Sequence, residues 1–169
     1  MDEAIAKVPC SHSASWIGSD AYSGPVTVRE PFRTRIKVRH YELDTLGHLN
    51  HAVYHSYGEV SRLELMELAG GLNSGMRDAN LAFVLLESHI VFRRELRAGD
   101  VVDVTCDAKF GTGKTFHMDS NIYKVDGTLS AEITCTLGLM DLERRKLVDD
   151  PRGRIERAGV DLKVLSTSE

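Results

Sequence analysis

The run Arg39-His40-Tyr41-Glu42-Leu43-Asp44-Thr45-Leu46-Gly47-His48-Leu49-Asn50-His51-Ala52-Val53-Tyr54 decides how this chain is read. It sets a carboxylate, Asp44, in a short loop between a strand-like segment and a helix-like one. Upstream, Phe32, Thr34, Ile36, Val38 and His40 alternate with Arg33, Arg35, Lys37 and Arg39, which predicts a strand with His40 on its inward face. Downstream, Val53, Tyr57, Val60, Leu63 and Met66 recur at spacings of four and three. That is one stripe of a helix, with Glu59, Arg62, Glu64 and Glu67 around it. Asn50 is a candidate helix cap, and Gly70-Gly71 supplies the backbone freedom that ends a helix. Residues 72–80 read as a polar loop.

Strands follow the helix in series. Phe83 to Leu96 is a long one, closed by the turn Arg97-Ala98-Gly99-Asp100. Val102, Val104, Cys106, Ala108 and Phe110 alternate with polar residues, as do Phe116, Met118, Ser120 and Ile122. Asp126-Gly127 marks a hairpin, since a type I′ turn needs positive φ. Leu129, Ala131, Ile133, Cys135, Leu137 and Leu139 make the last inward face. Strands joined by tight turns pair antiparallel. The fold class expected is therefore α+β, one antiparallel sheet wrapped on one long central helix. Residues 1–30 read as a flexible lead-in, 31–150 as the domain, and 151–169 as a charged, peripheral segment.

The 169 residues suit one domain, with 42% hydrophobic and 27% charged residues. The 21 basic and 25 acidic side chains give a net charge of −4, which argues against a nucleic-acid partner. Cys10, Cys106 and Cys135 are an odd set without CxxC spacing, which fits reduced thiols. No apolar run reaches membrane-spanning length, and Met1-Asp2-Glu3-Ala4 lacks a signal-peptide pattern. A cytoplasmic location without membrane attachment is expected.

The element order, with Asp44-Thr45-Leu46-Gly47-His48-Leu49-Asn50 between first strand and helix, resembles the hotdog-fold thioesterases. It is most similar to the 4-hydroxybenzoyl-CoA thioesterase-like subgroup, which includes short acyl-CoA and acyl-carrier-protein thioesterases. The likeness spans about Pro31 to Pro151 and is carried chiefly by D-x-x-G-H-x-N followed by Tyr54. The resemblance implies that Asp44 is the catalytic carboxylate, as nucleophile or as base for water. It places His51 where some members carry a functional histidine, and Tyr54 on the pocket wall. Glu59 and Arg62 match a helix pair that is more often structural. It also implies an acyl thioester of coenzyme A or of a carrier protein as substrate, no cofactor, and a homodimer or homotetramer.

The chemistry agrees residue by residue. Thioester hydrolysis needs an oxygen nucleophile and donors where negative charge develops. Asp44 can supply the first. Backbone N–H groups from Gly47 to His51, at a helix start, can supply the second. The alternative for Asp44 is an Asx-turn. Gly47, His48, Asn50, Tyr54 and Glu87 are the candidate substrate-binding residues, and Asp44 and His51 the catalytic ones. Glu87 has a solvated-face alternative, and His40 reads as a core histidine. His51, His55 and Asp44 are conceivable zinc ligands, but HExxH is absent and no metal is expected. Arg93, Arg94, Arg97, Lys109 and Lys114 are candidates to meet phosphates. Three further outcomes stay open at the sequence level. One is addition of an amine such as glycine to an α,β-unsaturated thioester, as in some relatives of secondary metabolism. The others are hydratase or dehydratase chemistry and a non-catalytic acyl-thioester binding module.

Overall fold

The structure is a computed structural model and describes residues 30–168. The expected lead-in, with Cys10, Trp16 and Tyr22, lies outside the described residues except for Glu30. In chain order the elements are β1 (Phe32–Lys37), a single 3-10 turn at His40–Glu42, α1 (His51–Leu68), α2 (Ser74–Asp78), β2 (Leu81–Phe92), β3 (Val101–Phe110), β4 (Thr115–Lys124), β5 (Leu129–Asp141), β6 (Lys146–Leu147), α3 (Pro151–Arg157) and α4 (Leu162–Leu165). The sheet runs β1-β3-β4-β5-β2, with β6 appended to β5, and every pair is antiparallel. This is the expected α+β arrangement of one sheet and one long helix.

The alternation read from the sequence gives the inner face of the sheet. Val102, Val104, Cys106 and Ala108 of β3, Phe116, Met118 and Ile122 of β4, and Ala131, Ile133, Cys135, Leu137 and Leu139 of β5 are all buried. The helix differs from expectation. Val60 and Leu63 are 40% and 45% exposed, and the buried face carries Tyr54, Tyr57, Gly58, Ser61, Arg62, Leu65 and Met66. The reason is close approach. A Cβ on Gly58 would sit 3.0 Å from Ile133 Cδ1, and Ser61 Oγ donates to the Val104 carbonyl at 3.0 Å. Small residues face the sheet where a count of large apolar residues does not look for them.

His40 is exposed and belongs to the 3-10 turn, not to the strand. Strand pairing ends at Lys37, and Val38 N–H is taken by the Asp100 carbonyl. The expected 72–80 loop contains α2, capped by Asn73, whose side chain accepts Met76 N–H. Strand β2 begins at Leu81 and stops at Phe92, short of the Leu96 expected.

Residues after 150 are not peripheral. Ile155, Val160, Leu162 and Leu165 are buried. Asp161 N–H donates to the Ala69 carbonyl at the end of α1, and Asn73 Nδ2 donates to the Ala158 carbonyl at 3.3 Å. Thr167 donates from both N–H and Oγ1 to the Asp107 carboxylate. The segment closes one end of the helix–sheet core.

Near the other end, Tyr57 Oη donates to Glu42 Oε2 at 2.6 Å, and Arg39 donates to the same carboxylate from N–H at 2.7 Å and from Nη1 at 2.9 Å. Burial would push the Glu42 carboxyl up. The hydrogen bonds from Tyr57 and Arg39, with the Arg39 charge, outweigh it and hold the group below its ordinary value of 4.5. A carboxyl depressed by folding stabilises the fold above its unfolded pKa, and that contribution is lost as pH falls through the lower folded value. Tyr57→Phe is expected to cost about 1–3 kcal/mol near neutrality. It is also expected to flatten the loss of thermal stability as pH falls through the ordinary carboxyl value of 4.5 and below. Melting curves of both proteins check this; identical acid sensitivity would remove the Tyr57–Glu42 bond as a source of linkage.

Candidate active site

Three backbone contacts shape the Asp44 loop. Asp44 N–H donates to the His48 carbonyl at 2.8 Å, Gly47 N–H donates back to the Asp44 carbonyl at 3.1 Å, and Leu43 and Leu49 form an antiparallel bridge. Gly47 has φ +75°, a conformation glycine adopts without Cβ strain. The loop is tied down by Leu49 N–H to the Leu96 carbonyl and Asn50 N–H to the Glu42 carbonyl. Asn50 caps α1 by accepting Ala52 N–H at 3.0 Å.

Asp44 makes the turn that the sequence offered as the alternative to a catalytic role, and it does so with one of its two oxygens. Its Oδ1 accepts Leu46 N–H at 2.8 Å and His48 N–H at 3.1 Å, an Asx-type turn. Its Oδ2 receives no hydrogen bond from the described residues. One oxygen fixes the loop and the other stands available.

Asp44, His48, His51 and Tyr54 line one groove of about 340 Å³, together with Leu49 and with Phe92, Arg93, Arg94 and Glu95 at and beyond the end of β2. Tyr54 is buried and meets the Phe92 ring edge-on at 5.1 Å between centroids. Burial pushes its phenol up, partly offset by the Ser130 hydroxyl and the Leu96 backbone, so it is a hydrogen-bonding wall residue and not an acid–base group near neutrality. His48 Nε2 lies 3.0 Å from Arg97 Nη2. A guanidinium only donates, so Nε2 accepts there. Leu49, Phe92 and Glu95 are the groove residues that sequence reasoning missed, and Glu95 is the titratable one. Its own N–H and the Arg97 charge hold its carboxyl below the ordinary range.

The backbone donors need a correction. Of the N–H groups from Gly47 to His51, Gly47 serves the Asp44 carbonyl, His48 the Asp44 carboxylate, Leu49 the Leu96 carbonyl and Asn50 the Glu42 carbonyl. His51 N–H, at the first position of α1, is the one left without a partner among the described residues.

Gly47 and Asn50 therefore shape the loop without lining the groove. Glu87 is not brought there: it is exposed on β2, opposite Thr136 of β5. Of the basic candidates, Arg94 and Arg93 reach the groove, Arg93 while paired with Glu132 at 2.6 Å, and Lys109 and Lys114 lie outside it, paired with Asp119 and Asp149. His55 leaves the Asp44 groove and sits 3.1 Å from Ser88 Oγ through Nδ1. Among the described residues, no three His, Cys, Asp or Glu side chains are grouped to hold a metal ion.

A model of the thioesterase-like superfamily matches residues 38–157, from the end of the first strand through α3. The chain belongs to this superfamily. The hotdog thioesterase resemblance drawn from the Asp44 loop is thereby borne out, and thioester hydrolysis is the enzyme class of the family. Among curated members, the chain is 30% identical over 115 residues to the long-chain acyl-CoA thioesterase FadM of Escherichia coli, covering 68% of this chain and 86% of that one. It is 32% identical over 96 residues to a putative esterase of Aquifex aeolicus, covering 57% and 75%. Among solved structures, the probable thioesterase YbaW of Escherichia coli superposes with a TM-score of 0.69 at 27% identity, covering 75% of this chain and 98% of that one. No helix among the described residues is long and apolar enough to cross a membrane.

Proposed function

We propose that this superfamily member hydrolyses an acyl thioester carried by coenzyme A or by an acyl carrier protein, with Asp44 as nucleophile or as base for water. The observation that carries the reading is the unengaged Asp44 Oδ2 in a groove at the start of α1. The thioester carbonyl lies against His51 N–H, where the helix start favours a developing oxyanion. Attack at the carbonyl carbon by water, whose proton passes to Asp44, or by Asp44 Oδ2 itself, forming an anhydride that water then cleaves, breaks the C–S bond and releases the thiol. His51, exposed at the same groove, is placed to pass the proton to the leaving sulfur. Arg93 and Arg94 are the basic residues at hand for the phosphates of the carrier. Nothing in the groove favours amine addition or water loss over hydrolysis. A panel of acyl-CoA and acyl-carrier thioesters, read by trapping free thiol, tests the proposal. Thiol release supports it; tight thioester binding without thiol release makes the protein a binding module instead.

We further propose a homodimer built on β2. Among the described residues this twelve-residue strand pairs with β5 on one side only, and Leu85, Leu86 and Phe92 on it are each about half exposed. A long apolar edge is an invitation to pair. A second copy satisfies it by antiparallel addition of the same strand about a two-fold axis, with Phe92 drawing the groove toward the junction. Leu86→Lys is expected to shift the protein toward monomer by at least about tenfold in dissociation constant. Sedimentation checks this, and an unchanged state would move the interface elsewhere.

A further inference from the structure

We propose that the hollow beside the Asp44 groove selects acyl groups ending in a carboxylate, with Arg62 as the specificity-determining residue. The inference rests on the thioesterase reading and names its substrate class.

Arg62 is 8% exposed, yet no carboxylate lies within ion-pair distance of it among the described residues. Its hydrogen bond runs from Nη1 to Cys135 Sγ at 3.4 Å. A thiol sulfur is a weak acceptor, and a guanidinium carries five N–H groups in a planar fork. Burying that charge against a neutral sulfur is costly, and a charge-assisted partner removes the cost.

Arg62 lines a hollow of about 390 Å³ together with Cys135, which its Nη1 meets, and with the polar residues His55, Ser56, Glu59 and Ser88. Ser88 Oγ stands 3.1 Å from His55 Nδ1 and 3.6 Å from Cys135 Sγ, so hydrogen-bonding groups run from His55 to Arg62 along the seam between α1 and β2. Leu85 and Ile133 supply apolar wall for methylene groups. Glu59 is exposed, three residues before Arg62, and opposes an anion at the rim.

The two hollows follow one another along α1. His51 lines the first and His55, one turn on, the second. Arg62 begins about 16 Å of helix rise beyond His51, and its side chain leans back toward the helix start. An acyl chain with its thioester at Asp44 therefore needs medium length to set a terminal carboxylate on Arg62. A bidentate carboxylate matches the guanidinium fork.

The test compares thiol release from the mono-CoA thioester of decanedioic acid with that from decanoyl-CoA. The wild type is expected to favour the dicarboxylic substrate in kcat/KM by about tenfold or more. Arg62→Met abolishes the preference, Arg62→Lys keeps part of it, and Glu59→Gln increases it. Should Arg62→Met fail to fold, Ser88→Val, on an exposed position, is expected to reduce the same ratio. Equal turnover of the two thioesters by the wild type, or a ratio indifferent to these substitutions, overturns the inference. So does an Arg62→Met protein that loses its dimer on sizing while keeping the ratio, since Arg62 would then serve a contact between copies. Calorimetry of free decanedioate and decanoate on the Asp44→Asn protein separates the two readings. Preferential decanedioate binding supports the Arg62 site even if neither thioester is cleaved, and equal binding sinks it even if both are.

Discussion

Asp44→Asn is expected to lower thiol release by about a hundredfold to ten-thousandfold, the range for loss of a positioned base or nucleophile. The substitution is selective because of how the carboxylate is divided. Oδ1 holds the loop through Leu46 and His48 N–H, and an amide oxygen can accept both bonds. In the proposed mechanism Oδ2 carries the chemistry, and an amide NH₂ in its place has neither the charge nor the lone pair needed. The variant should therefore melt close to the wild type and bind thioester with similar KM, the loss falling on kcat. Asp44→Ala is expected to lose the same activity and also to loosen the loop. Stopped assays with purified acyl-CoA, beside melting curves, distinguish the two. Full activity in Asp44→Asn would transfer the reaction to another group, with Glu95 the next carboxylate in the groove.

Removing residues 151–169 is expected to unfold the domain. Ile155, Val160, Leu162 and Leu165 are all buried, and burying each aliphatic side chain is worth about 1.5–3 kcal/mol. The sum rivals the 5–15 kcal/mol that typically holds a whole domain together. The deletion also strips the Asn73–Ala158 and Thr167–Asp107 hydrogen bonds. Ile155→Ala and Leu165→Ala, which leave the chain intact, are each expected to cost about 2–5 kcal/mol by cavity formation. Urea titration of the three proteins measures this. A truncated chain of unchanged stability would show the segment to be dispensable.

Both expectations rest on features that the sequence discloses unevenly. Strand faces were legible because charged residues alternate with apolar ones along β1, β3 and β4, and a one-residue slip would bury those charges. The Asp44 loop was legible because its glycine, aspartate and cap have specific backbone duties. The buried face of α1 was not, because Gly58 and Ser61 face the sheet and apolarity does not mark them. The C-terminal helices were missed because their apolar residues are interrupted by Gly159 and embedded among Arg152, Arg154, Glu156 and Arg157. Glu95 joins the groove through tertiary proximity alone, far along the chain from Asp44. The burial of Arg62 is likewise a property of packing: in a helical pattern, an arginine beside glutamates reads as solvated.

The strand order carries a consequence for biosynthesis. Strand β2 precedes β3 and β4, but among the described strands it hydrogen-bonds only to β5, whose Asp141 end pairs with Leu81. While β3 and β4 leave the ribosome they can zip together as a hairpin, and β1 can join β3. Throughout that interval β2 has no strand partner among the described residues, although Leu85, Leu86 and Phe92 on it stay about half exposed even in the finished domain. Such distant pairing slows folding and leaves the nascent chain open to misassociation. Residues 129–165 thus secure both the sheet, through β5, and the core, through α3 and α4, so the domain can close only once they have emerged.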